Sequence, residues 1–263
     1  MNILEPIWLS IFTKDTYSCI KNRGIHKLVN NLKKALKSDP EGTKYCLKLD
    51  IKKFYPSINH DILKQIIRYK IKDEELLQLL DEIIDSAEGV PIGNYLSQYS
   101  GNFYLSSFDH WIKEEKHVKH YHRYMDDIVI FGKTKEDLRL LLKDIHLYFE
   151  EKLHLTIKDN WQIFPTYIRG VDFLGYRIFK DYILLRKSVY KKMREKMVYI
   201  NKKVNSGNMM NYSEWCSVNS YKGWLKHCDS YRLQKKYIAP IQPDVDRYYQ
   251  EVVKPKKFER KAA

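Results

Sequence analysis

At 263 residues, with 44% hydrophobic and 30% charged positions, the chain is long enough for a full core and too apolar for a disordered tail. No apolar run approaches the ~18 residues that a bilayer helix needs, and Cys19, Cys46, Cys216 and Cys228 form no C-x-x-C pair, which argues against a zinc site or a disulfide framework and for reduced thiols. The formal charge of +14 draws the chain to polyanions, RNA and DNA ahead of anionic membranes, and the 21 tyrosines and 5 tryptophans interleaved with Lys and Arg can stack bases. Glu5 and Asp15 interrupt any secretion-signal pattern, so a cytoplasmic address is expected.

Ile25, Leu28, Val29, Leu32, Ala35 and Leu36 have helical spacing, broken by Asp39-Pro40-Glu41-Gly42. A strand over Tyr45–Ile51 runs into Lys52-Lys53-Phe54-Tyr55-Pro56. Asn59 then caps a helix carrying Ile62, Leu63, Ile66 and Ile67, and Asp73 to Ala87 repeats the helical pattern. After a Gly89–Gly93 loop, Leu96, Ser100, Phe103, Ser107 and Trp111 mark one face of a single long helix. The stretch His122–Gly132 is apolar on both sides of Asp126-Asp127, which predicts a hairpin with acids at its tip. A helix from Lys135 to Leu153 follows, then strands near Leu155–Ile157, Asp172–Phe179 and Ile183–Leu185, and from Ser188 a very basic helical pattern. The fold class is α+β with a helical C-terminal appendage.

Asp50 ends one predicted strand and Asp126-Asp127 tip the hairpin. In-line phosphoryl transfer needs two hard cations about 3.5–4 Å apart, and magnesium takes oxygen ligands from a few carboxylates and substrate phosphates. Neighbouring strands lie about 4.8 Å apart, so an acid ending one strand can face an acid on the next. Taken singly, each site also has a plain reading: Asp50 caps a helix and the Asp pair favours the turn.

The run Leu49-Asp50-Ile51-Lys52-Lys53-Phe54-Tyr55-Pro56-Ser57-Ile58 resembles the first palm motif of reverse transcriptases, and Tyr124-Met125-Asp126-Asp127 resembles their catalytic hairpin. Val90-Pro91-Ile92-Gly93-Asn94-Tyr95-Leu96-Ser97-Gln98, between them, is similar to the motif that abuts template and incoming nucleotide, and Val171-Asp172-Phe173-Leu174-Gly175-Tyr176 to the hairpin that grips the primer end. The resemblance implies a right-hand polymerase fold with an antiparallel palm sheet backed by helices, partial fingers and a helical thumb. It implies RNA-directed DNA polymerase activity, with two Mg2+ ions, replaceable by Mn2+, held by Asp50, Asp126, Asp127 and the carbonyl of Ile51. It assigns the nucleotide to the amides of Lys53 and Phe54, to Tyr55 as a steric gate, and to Ile92 and Gly93. Lys158 is a candidate proton donor to pyrophosphate, a plain surface lysine being the alternative. Phe173, Leu174 and Gly175 would form the primer grip.

Ile92-Gly93 in place of Gln-Gly, and Ser97-Gln98 in place of Ser-Pro, resemble the enzymes of diversity-generating retroelements, as does the thumb-like run Asn219–Tyr231. Group II intron, retron and phage-defence reverse transcriptases remain alternatives, as does a non-catalytic RNA-binding protein on the same scaffold. The implied partners are an RNA template, a DNA or RNA primer, deoxynucleoside triphosphates and a small basic accessory protein, with no membrane, in a bacterial or phage-encoded setting. The expected layout is a palm with incomplete fingers over 1–186, a thumb over 187–250 and a disordered basic tail over 251–263. The basic finger strands that precede Leu4–Ile7 in relatives are expected to be missing. Lys187, Lys191, Lys192, Arg194, Lys196, Lys202 and Lys203 are expected to contact phosphates from the thumb.

Overall fold

The computed structural model describes residues 4–91 and 95–255. The chain divides into two compact units, 1–170 and 171–263. The second unit thus takes in three short strands ahead of the helices expected from 187 onward.

The first unit contains helices α1 (Leu4–Leu9), α2 (Ile25–Ser38), α3 (His60–Lys70), α4 (Glu74–Asp85), α5 (Tyr95–Tyr104), α6 (Ser106–His110), α7 (Lys135–Leu153) and α8 (Thr166–Arg169). Its sheet is built from β1 (Tyr45–Asp50), β2 (Tyr121–Tyr124), β3 (Asp127–Gly132) and β4 (Gln162–Pro165), in the order β2-β3-β1-β4, and every neighbouring pair is antiparallel. Helix starts follow local chemistry. The side chains of Asn59, Asp73 and Thr134 accept from the amides of Ile62, Leu76 and Asp137, each satisfying an otherwise orphaned donor, a contribution of about 1 kcal/mol apiece. Because strand side chains alternate, Leu47, Leu49, Ile128, Ile130 and Tyr121 share one face and join the apolar core with Leu63, Ile67, Phe103, Phe108, Ile145 and Phe149 from the helices. Among the described residues no helix is long and apolar enough to cross a membrane.

Several expectations differ from the structure. The single helix expected from Leu96 to Trp111 is broken at Leu105 into α5 and α6, where the Ser106 hydroxyl turns back onto the Phe103 carbonyl at 2.6 Å. The strand expected near Leu155–Ile157 reduces to one bridge, Ile51 to Ile157, while the sheet's fourth strand is Gln162–Pro165, which the alternation did not reveal. Residues 251–255, expected in a disordered tail, continue a helix; 256–263 lie outside the described residues.

The second unit opens on β5 (Val171–Phe173), β6 (Tyr176–Ile178) and β7 (Ile183–Leu185), an antiparallel sheet in that order, followed by α9 (Lys187–Asn205), α10 (Tyr212–Leu225), α11 (Tyr231–Leu233) and α12 (Gln242–Tyr248). The stretch expected as one strand over 172–179 is therefore a hairpin. Its two-residue turn has φ of 46° at Leu174 and 84° at Gly175, the primed geometry that matches strand twist.

Candidate active site

The register of the main sheet brings the acids together. Asp50 is the Cα partner of Asp127 at the end of the β1–β3 ladder, and Tyr124 pairs with Asp127 across a two-residue turn of Met125 and Asp126. Met125 has φ of 54°, a positive value at the first central position that a tight hairpin requires. The pleat puts Asp50 and Asp127 on the face opposite Leu49 and Ile128, so these carboxylates leave the core side at the sheet end where the strands stop pairing. The register thus sets Asp50 opposite Asp127, with Asp126 next to it on the turn.

Electrostatics marks the same place. Asp126 is pushed from an ordinary 3.8 up to about 6, first by burial and then by the charges of Asp50 and Asp127, against a lowering backbone hydrogen bond. Among the described residues no donor reaches the buried Asp50 Oδ1, while Oδ2 accepts from Lys158 Nζ at 2.5 Å. That hydrogen bond raises the Lys158 pKa above its usual value, with burial opposing. Lys158 reaches Asp50 because its own amide donates to the Asp50 carbonyl at 2.8 Å and Lys52 donates to Thr156 at 2.8 Å. These two bonds flank the Ile51–Ile157 bridge, so ladder geometry turns the Ile51 carbonyl away from Ile157 and toward the hairpin side.

An all-oxygen donor set, an orphaned buried carboxylate oxygen and a raised neighbouring pKa suit a hard divalent cation. Among the described residues no three His, Cys, Asp or Glu side chains are grouped as a self-sufficient metal cage.

The loop after β1 carries the residues assigned to the nucleotide. Lys53 is exposed with φ of 45°, and Phe54 follows in right-handed geometry, an alternation that aims successive amides at one point. Among the described residues no backbone carbonyl accepts from either amide. The Phe54 ring is buried against Tyr55, centroids 5.4 Å apart, and both rings pack over Gly101 of α5, where a Cβ would come within 3.1 Å of Phe54 and 3.4 Å of Tyr55. The Tyr55 hydroxyl reaches Met125 Sδ at 3.9 Å and its pKa is pushed up to about 12 by burial and then by Cys19 and Asp126, so the ring lies beside the Met125-Asp126 turn. Ile92 and Gly93 lie outside the described residues.

Phe173, Leu174 and Gly175 belong to the second unit and are described within it. Phe173 is fully buried, and Gly175 lies so near Trp224 of α10 that a Cβ would come 2.4 Å from its ring. Tyr176 packs on the same ring at 5.1 Å and donates to the Trp224 carbonyl at 3.1 Å. The β5–β6 hairpin is therefore fixed to a helix of its own unit. Along α9, Lys187, Lys191, Lys192, Arg194 and Lys202 are exposed, whereas Lys196 is half-buried and Lys203 is bound to both carboxylate oxygens of Glu214, at 2.9 and 3.1 Å.

Sequence reasoning passed over two charged residues beneath the hairpin, Arg123 and Asp109, both fully buried. Their signal was present: Arg123 shares its strand face with Tyr121, and Asp109 sits among Phe108, Trp111 and Ile112.

Residues 1–178 match the family described as reverse transcriptase (RNA-dependent DNA polymerase). The chain is similar to Protein YkfC of Escherichia coli, 23% identical over 235 aligned positions that cover 73% of this chain and 60% of that protein. It is also similar to the Retron Ec73 reverse transcriptase of Escherichia coli, 26% identical over 267 positions, covering 91% and 81%. Group II intron-encoded protein LtrA of Lactococcus lactis subsp. cremoris is 21% identical over 249 positions, covering 67% and 41%. Among solved structures, apo telomerase from Candida tropicalis superposes with a TM-score of 0.59 over 95% of this chain and 50% of its own, at 12% identity. Telomerase from Candida albicans in complex with a TWJ fragment of telomeric RNA gives 0.53 over 88% and 47%, at 11% identity. The chain thus spans only part of several of these relatives, and the structural likeness establishes the fold, an α+β right-hand polymerase. With most of its length matched by that family, the chain belongs to the reverse transcriptases (RNA-dependent DNA polymerases).

Proposed function

We propose that this chain extends a primer along an RNA template, adding deoxynucleotides by magnesium-dependent phosphoryl transfer at Asp50, Asp126 and Asp127. The observation that carries the reading is the pairing of Asp50 with Asp127 across the β1–β3 ladder, with Asp126 on the adjoining turn. Bound divalent ions would supply Lewis acidity at the primer hydroxyl and the phosphates. Asp50 and Asp126 would hold them, with Asp127 and the Ile51 carbonyl in support. The Lys53 and Phe54 amides would hold the triphosphate. Tyr55, flat and half-buried beside the turn, would close the floor under the sugar. Lys158 has two roles open to it: it pairs with Asp50 in the free chain, and on release from that carboxylate it would serve as a proton donor to leaving pyrophosphate. The test is extension of a labelled primer in magnesium with and without RNA template. Product only with template supports the reading, untemplated product points to a different polymerase, and absence of product with intact RNA binding points to a binding protein.

A finer reading makes the copying mutagenic, as in a diversity-generating retroelement, with a small basic accessory protein delivering template. It rests on Ile92 and Ser97-Gln98. Isoleucine offers no hydrogen bond where glutamine would, and losing one in a desolvated site weakens discrimination by about 1–3 kcal/mol. Ile92→Gln is expected to lower misincorporation opposite template adenine by roughly tenfold or more, read by sequencing the complementary DNA. An unchanged error spectrum at equal synthesis would leave Ile92 as a packing residue and withdraw its part in the subfamily argument. The retron relative, which aligns over 91% of this chain, favours a second reading in which this chain is a reverse transcriptase of the retron type.

RNA contact is proposed to run along α9. With five exposed cations there in place of the seven expected, the logarithm of affinity should fall against the logarithm of salt with a slope of roughly −4. A flat response in filter binding across a salt series would rule the account out.

A further inference from the structure

Beneath the acid-bearing hairpin, on the core side of the sheet, lies an ion pair with no solvent exposure at either side chain. Asp109 comes from α6 and Arg123 from β2, one residue before Tyr124. The guanidinium grips the carboxylate with two parallel bonds, Nε to Oδ1 at 2.7 Å and Nη2 to Oδ2. Thr16 donates to Oδ2 at 2.8 Å, and the Tyr121 hydroxyl donates to Oδ1. The remaining nitrogen, Nη1, reaches in two directions at 3.1 Å: to Asn102 Oδ1 and to the carbonyl of Met125 in the turn itself. Asn102 is in turn anchored through its amide to the Ser18 carbonyl at 2.8 Å. On the outer edge of β2 the Arg123 amide donates to Asp15 at 3.0 Å, and its carbonyl accepts from Tyr17 at 3.1 Å.

Apolar residues of the same volume often stabilise a core as well as a buried ion pair does, so stability alone is a weak reason for this one. Its geometry suggests another. Met125 holds a positive φ of 54° without being glycine, a conformation that needs outside support. Arg123 supplies a bond to that residue's carbonyl from below, and only a rigid planar fork spans Asp109, Asn102 and Met125 together. We propose that Arg123, locked by Asp109, is a positioning residue that clamps the Met125 carbonyl and so sets the orientation of the Asp126 carboxylate.

Arg123, with no solvent exposure, would act through its bond to the turn. The proposal rests on the catalytic reading only in naming Asp126 as the acid that matters. A lysine at this position keeps a charge opposite Asp109 but cannot make the third contact.

The test uses the full chain. In Arg123→Lys, amide hydrogen exchange across residues 125–127 is expected to rise about tenfold or more, while the helix α7 of the same unit keeps its protection. Binding of Mn2+, followed by electron paramagnetic resonance, should weaken about fivefold or more. In primer extension kcat should fall about tenfold or more with nucleotide KM changed less than about threefold. Unaltered exchange at the turn, or an equal rise throughout the first unit, would overturn the proposal, since a merely structural pair loosens everything around it. Should Arg123→Lys fail to fold, the double variant Asp109→Asn with Arg123→Gln leaves no unpaired buried charge and carries the same readouts. Failure of both to fold would assign the pair to the scaffold and equally overturn it. If the unaltered chain extends no primer, the proposed function falls, whereas the exchange measurement still decides the role of Arg123.

Discussion

Asp126→Asn is expected to lower magnesium-dependent primer extension by on the order of 10³-fold, because loss of a ligand charge removes several kcal/mol of transition-state stabilisation and each 1.4 kcal/mol is about tenfold in rate. The same substitution should raise the thermal midpoint of the metal-free chain at pH 7. Asp126 is held at about 6 against an ordinary 3.8, so the folded chain binds its proton more tightly than the unfolded chain does. Its contribution therefore destabilises nothing below about pH 3.8, turns unfavourable as pH rises through that window, and is fully unfavourable above about pH 6. The rise corresponds to roughly 3 kcal/mol against the anion before solvent screening, and a partly exposed carboxylate retains about 1 kcal/mol of it. An amide of the same volume escapes that cost, which predicts a gain of about 2–4 °C. The gain should vanish at pH 4, where the native acid is already protonated, and saturating magnesium should stabilise the native chain but not the variant. Asp127→Asn should lose less activity. Extension near the native rate in Asp126→Asn, or a midpoint that falls at pH 7, would remove Asp126 from the centre of the site.

The largest effect of a single methyl group is expected at Gly89→Ala. Gly89 has φ of 66°, and a Cβ there would lie 2.2 Å from the Tyr55 carbonyl oxygen and 2.6 Å from Pro56 Cα. Both are backbone atoms, so no rotamer change can relieve the contact. The next residue, Val90, donates its amide to that same Tyr55 carbonyl at 3.0 Å, and the Gly89 carbonyl pairs with His60 Nε2 at 2.6 Å, which ties the loop to α3. Left-handed backbone costs a residue with a side chain about 1–2 kcal/mol, and forced overpacking adds about 1–3. A fall in thermal midpoint on the order of 10 °C follows. The remaining folded protein should also extend primers poorly, because the atoms displaced belong to the segment that carries Tyr55. Gly207→Ala is the matched control: φ is 82°, but no atom lies within 4 Å of the added carbon, so only the conformational part should appear. Equal losses at the two glycines would show that the close approach to Tyr55 carries no weight.

Much of the site was legible because the signals that define it are local. Asn59, Asp73 and Thr134 cap helices through their own next turn, and the run flanking Asp126-Asp127 encodes a hairpin through alternation and a two-residue turn. The resemblance of four motifs then identified Asp50 as the distant partner, and the β1–β3 register agrees with it.

What the chain alone determined, then, is where helices α2, α3, α4 and α7 lie and where the Met125-Asp126 hairpin turns, since those depend on neighbours within one turn or one pleat. Tertiary structure decided the rest. Gln162–Pro165 becomes a strand only because β1 offers it a free edge, and Leu174-Gly175 turns where Trp224 packs against a residue with no side chain. Lys158 meets Asp50 only once Thr156 and Lys52 have bonded across the sheet. Arg123, which strand alternation places on the face of Tyr121, is buried under the turn. A charge leaves water only where a partner from another element completes its hydrogen bonds, and no local pattern records that Asp109 of α6 would be there.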